Sequence, residues 1–106
     1  MGNENAKDHS RGFGLRVLGV DKNSALLHAV ALFEDFIIEI NGYSDLRNLK
    51  GDFEFLGEKS EKITLKVYNL ISDATRSVVL EQGYDHTISL EQQLGIRFKL
   101  EDLECA

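Results

Sequence analysis

The run Ile63-Thr64-Leu65-Lys66-Val67-Tyr68 alternates apolar and polar side chains without a break. A period of two belongs to a strand with one buried face. A helix cannot satisfy it, because helical faces recur every ~3.6 residues. Such a strand needs neighbours, since its backbone N–H and C=O groups must be paired if they are buried. The chain offers several. Leu15-Arg16-Val17-Leu18-Gly19-Val20 and Phe36-Ile37-Ile38-Glu39-Ile40 are β-rich. Ser77-Val78-Val79-Leu80 follows a turn at Asn69 to Asp73 and is expected to pair antiparallel with the 63–68 strand. The last candidate is Leu94-Gly95-Ile96-Arg97-Phe98-Lys99-Leu100, with Leu94, Ile96, Phe98 and Leu100 on one face.

The connections carry helix and turn signals. Asp21-Lys22-Asn23-Ser24 reads as a turn, Ser24 suits a helix N-cap, and Ala25 to Leu32 predicts one or two helical turns. Asn41-Gly42 suits positive φ in a tight turn. Asp52 is a second candidate N-cap, with Phe53 and Leu56 three apart on one helical face and Gly51 and Gly57 limiting the helix. Leu46 and Leu49 predict an extra turn before it. Residues 82–93 read as a polar connection. The result is a mainly β, α+β fold: a partly open antiparallel barrel with two short helices at its ends. Residues 1–11 read as a polar tail, 12–100 as one domain and 101–106 as an acidic tail.

At 106 residues the chain suits one domain, and 42% apolar with 28% charged residues places it among folded chains. Its formal net charge of -6 argues against nucleic-acid binding and against adhesion to anionic lipid by charge. No apolar run approaches the ~20 residues of a spanning helix, and no signal peptide opens the chain. Cys105 is the single cysteine, so no internal disulfide can form and a reducing compartment is expected. His9, His28 and His86 do not stand at metal-ligand spacing, and His28 reads as a packing or capping residue. No nucleophile with a base and an orienting group is signalled, and Gly12-Phe13-Gly14 lacks the rest of a phosphate loop. No catalytic residue, metal or cofactor is therefore expected.

The order of several motifs resembles the first PDZ domain of the Golgi reassembly-stacking family. The resemblance lies in Leu15 to Ser24 with its Asn23-Ser24 helix start, and in Phe33-Glu34-Asp35-Phe36-Ile37-Ile38-Glu39-Ile40-Asn41-Gly42. Leu94-Gly95-Ile96-Arg97-Phe98 resembles the strand closing that domain. It departs from the family pattern where Ala25 replaces a proline, where Val30 or Ala31 replaces a glycine, and at Gly57. Positions that bind zinc in some members correspond to Arg16 and Lys99 here, so that site is lost.

Asp35 is expected to cap or anchor a turn, a role implied by the resemblance of its segment to this family. The resemblance implies a circularly permuted PDZ-like fold. Leu94-Gly95-Ile96 would be a carboxylate-binding loop and Ile96 to Lys99 a groove strand. The helix from about Asp52 to Lys59 would form the opposite wall. A peptide C-terminus or internal segment would lie there as an added strand, its apolar side chain among Leu94, Ile96, Phe98, Phe53 and Leu56, beside Arg97. Glycine lets successive N–H groups converge on an anion. The resemblance further implies golgin-like coiled-coil partners, self-association and membrane tethering on the cytoplasmic face of the Golgi or early secretory membranes. It also implies a second PDZ-like unit downstream. Gly2 is a myristoylation candidate, although Ala6 stands where the acceptor pattern wants Ser or Thr. Membrane contact would then come only through such an anchor or a partner. The alternative reading is a PDZ module regulating a protease or other enzyme encoded elsewhere in a longer chain.

Overall fold

Residues 63–68 do form a strand, and its burial alternates as the side chains do: Ile63, Leu65 and Val67 are buried, while Thr64 is exposed. The computed structural model describes residues 12–48, 62–83 and 88–105. Within them lie β1 (Phe13–Val20), β2 (Asp35–Ile40), β3 (Ile63–Asn69), β4 (Ala74–Leu80), α1 (Leu90–Leu94) and β5 (Ile96–Asp102). The strands form one unclosed sheet in the order β4-β3-β2-β1-β5. Every neighbouring pair is antiparallel.

The mainly β class thus holds, with one α-helix among the described residues. The expected helix over Ala25 to Leu32 is instead a series of tight turns. Leu27 N–H bonds the Ser24 carbonyl and Ala29 N–H bonds that of Leu26. The segment is too short to offset helix nucleation, and the chain must reverse to enter β2. His28 is exposed there rather than packed or capping. Leu46–Asn48 forms a 3-10 turn. The helix expected at Asp52 lies outside the described residues.

Asn41 and Gly42 both take positive φ, +50° and +84°, and Ile40 and Tyr43 bond each other across them. This is the geometry of a two-residue turn in which asparagine and glycine are favoured. β4 begins three residues before the expected start at Ser77, because Asn69 pairs with Ala74 and the ladder zips from the turn. β5 runs on to Asp102 and a buried Leu103 opens a 3-10 turn beyond it, so Glu101 and Asp102 of the tail expected over 101–106 belong to the sheet.

One sheet face carries the main core. Leu15 and Val17 of β1, Ile37 and Ile40 of β2, and Leu65 and Val67 of β3 pack there, closed by Leu26, Leu90 and Leu94 from the connections. Asp35 points to the same face at the sheet's end and is buried at 1% exposure. Its carboxylate accepts from Arg76 at 2.8 and 3.2 Å, from Asn69 at 2.8 Å and from Ala31 N–H at 2.7 Å. Burial alone would push this carboxyl up. Hydrogen bonds from Arg76, Ala31 and Asn69, with the Arg76 charge, outweigh it and hold Asp35 below the ordinary carboxylate range. The turn-anchor expectation for Asp35 matches this bonding. The second face buries Phe36, with the Arg16 guanidinium 5.2 Å from its ring centre and Tyr68 alongside.

Candidate functional site

The residues expected to bind a peptide divide at Gly95. Leu94 is not a strand residue: it is the last residue of α1 and is buried in the core. The local cause is a capping box. Ser89 Oγ accepts the Gln92 N–H, and the Gln92 side chain accepts the Ser89 N–H. Gly95 ends the helix in the left-handed region, at φ +69° and ψ +36°. A Cβ on Gly95 would fall 2.8 Å from Ser24 Cβ, so the position favours glycine on two counts.

This geometry changes what the loop offers. Gly95 N–H donates to the Glu91 carbonyl at 2.8 Å, so it does not face outward as one of several converging donors. The carbonyls of Gln93, Leu94 and Gly95 accept from Gln82, Ser24 and Asp21. The carboxylate cradle expected at Leu94-Gly95-Ile96 is replaced by a helix C-terminus whose carbonyl groups are already bonded. A small recess of about 220 Å³ stands beside it, lined by Asp21, Ser24, Gln82 and Gln93 among others.

From Ile96 onward, where a groove strand is expected, the chain forms β5, the end strand of the described sheet. Gly95 carbonyl accepts from Asp21 at one end of β5, and Leu103 N–H bonds the Gly12 carbonyl at the other. The odd-numbered backbone groups therefore face β1. By the alternation of an antiparallel ladder, those of Ile96, Phe98, Leu100 and Asp102 face away from it. Among the described residues Phe98 N–H meets the Glu91 carboxylate at 3.5 Å, a long contact from an exposed side chain.

The side chains of β5 alternate in character as well as direction. Ile96, Phe98 and Leu100 lie opposite Val20, Val17 and Leu15, on the core face. Ile96 is buried, Phe98 is half-buried and Leu100 is 40% exposed. Arg97, Lys99 and Glu101 lie opposite Gly19, Arg16 and Gly14, on the second face. Arg97 folds back over Gly19, where any side chain would collide with its guanidinium. Glu101 receives Arg16 at 3.3 Å. Phe53 and Leu56, the proposed far wall, and Gly2, the proposed acylation site, lie outside the described residues.

Sequence reasoning missed α1. Its local signal was Ser89-x-x-Gln92, which opens at the residue before Leu90 and was obscured by the polar residues around it. Among the described residues no three metal-capable side chains cluster, and no helix is long and apolar enough to cross a membrane. No protein-family model matches the chain, and none of the curated proteins matches it.

Proposed function

We propose that the chain is a non-catalytic interaction domain of PDZ-like, partly open barrel architecture. It takes an extended segment of polypeptide as an added strand on the outer edge of β5. The observation that carries this reading is the row of outward backbone groups at Ile96, Phe98 and Leu100 on an end strand. An added strand gains its affinity from main-chain bonds, and alternate side chains set its specificity. Here Phe98 and Leu100 supply an apolar side and Arg97 a charged one.

The resemblance to the Golgi reassembly-stacking family supports the reading at one further point. It assigns Arg16 and Lys99 to the two halves of a single site, and the β1–β5 register sets these residues directly opposite each other. Phe53 and Leu56 as a second wall, Gly2 acylation, golgin-like partners and placement on Golgi membranes follow from the resemblance alone.

Strand addition does not depend on a terminal carboxylate, and Gly95 N–H is committed to Glu91. Free-acid and amidated forms of one extended peptide are therefore expected to bind equally. Amide chemical shifts followed by NMR should move at Phe98 and Leu100 as peptide is added. Shifts confined to the opposite edge, at β4, would overturn the assignment.

A further inference from the structure

We infer that the occupant of the β5 edge is an extended acidic segment of another protein, running antiparallel to β5, in which carboxylates alternate with apolar side chains. This rests on the strand-addition reading above and names the chemistry of its partner. The argument is a local excess of positive charge in an acidic chain. The formal net charge is -6, yet on the second face β1 and β5 bring Arg16, Arg97 and Lys99 together against the carboxylate of Glu101. Arg16 is spent: it engages Glu101 at 3.3 Å and the Phe33 carbonyl at 3.0 Å. Arg97 and Lys99 are exposed, and among the described residues neither has a carboxylate partner.

The edge fixes where the partner's side chains fall. Phe98 and Leu100 turn their backbone groups outward, so they form the hydrogen-bonded pairs with an incoming strand. Arg97 and Lys99 stand at the alternate positions, where side chains on facing strands approach most closely. They are two residues apart, about 7 Å along an extended backbone, and carboxylates on every second residue of the segment repeat at that same distance. Residues directly opposite share a face, so acids beside Lys99 and Arg97 place the residues next to them on the core face. There they meet Leu100, which is 40% exposed, and the half-buried Phe98, and must be apolar. The residue facing Glu101 must not be acidic, because like charges directly opposite destabilise. Antiparallel pairing matches every pair already in the sheet and is the more stable per residue. From its N-terminus the segment therefore runs neutral, apolar, acidic, apolar, acidic. Glu91 must swing off Phe98 N–H. Being exposed and held by one long bond, it yields readily.

The other end strand lacks this character. β4 presents Thr75, Ser77 and Val79 on the second face, and its Arg76 is engaged by Asp35. A contact as short as the one on β5 buries little surface, so binding there is weak and reversible.

The probe is the acetylated, amidated peptide Thr-Val-Glu-Val-Glu-Thr carrying a fluorophore, compared by fluorescence anisotropy with versions holding Gln or Lys in place of both Glu. One opposite-charge pair across strands strengthens pairing by about 1.4- to 5-fold, and a like-charge pair weakens it by a similar factor. Two pairs should make the Glu peptide bind about 2- to 30-fold tighter than the Gln peptide, with the Lys peptide weaker again. In the chain carrying both Arg97→Glu and Lys99→Glu the order should invert, with the Lys peptide bound tightest. Damage to the fold cannot produce an inverted preference. Equal binding of the three peptides, or the same order in the variant, would overturn the inference. If the Phe98 and Leu100 amides still shift in that case, strand addition stands without the acidic partner. Failure of all three peptides to bind would sink both. Displacement of the Glu peptide by an equal concentration of oligothymidylate would assign the cations to a nucleic acid and overturn the inference. Movement of the same amides on raising the protein concentration alone would give the edge to a second copy and overturn it too.

Discussion

Replacing Arg76 with alanine tests the account of Asp35. The substitution removes a cation from a carboxylate of 1% exposure, leaving the charge buried with Ala31 N–H and Asn69 as its donors among the described residues. Breaking a fully buried pair costs ~3–5 kcal/mol, and breaking an exposed one ~0–1 kcal/mol. The Arg76 side chain is 42% exposed and two donors remain on Asp35, so the expected cost lies between, at about 2–3 kcal/mol near pH 7. For a domain of this size that is a fall in Tm of roughly 10–20 °C, measured by circular dichroism with a urea series alongside.

The sign of the pH dependence follows from the lowered folded pKa of Asp35. In the parent chain its contribution is present above the unfolded value of ~3.9 and is lost as pH falls through the folded value. Without Arg76, burial is less opposed and the folded pKa rises. The variant then takes up its proton earlier on acidification, and the stability gap between the two proteins narrows. Asp35→Asn should cost less than Arg76→Ala, because it leaves no buried charge and frees a half-exposed guanidinium to water. A cost below about 1 kcal/mol for Arg76→Ala, the exposed-pair range, or a gap that does not shrink in acid, would refute the reasoning.

Two further stability predictions concern single backbone positions. Gly95→Ala should destabilise by about 2 kcal/mol, from left-handed φ plus the close approach of Ser24, whereas Gly42→Ala, with open space around it, should cost about 1 kcal/mol by φ alone. Equal urea midpoints for the two variants would argue against the Ser24 contact. Ser89→Ala should cost ~1 kcal/mol through loss of the cap on α1 and should speed amide exchange at Gln92 and Gln93, so unchanged exchange there would contradict the cap.

The amino-acid order alone determined the strands whose neighbours are near in sequence. Alternation over residues 63–68 fixed which side chains turn inward, because a period of two is a property of the backbone itself. Asn41-Gly42 marked its turn for the same reason, since positive φ is a local demand. α1 was legible in principle from Ser89 and Gln92, but the polar composition of residues 82–93 outweighed a signal carried by two side chains. What only the tertiary structure decided is where distant pieces meet. Asp35 and Arg76 are 41 positions apart, and nothing in either neighbourhood says that one neutralises the other. The same holds for β5: its apolar and charged alternation reads directly from the sequence, but its place at the end of the sheet depends on β1 lying between it and β2. Periodicity is short-range information, whereas strand order comes from burying all the apolar faces together, and that order makes Ile96 to Asp102 an edge rather than an interior strand.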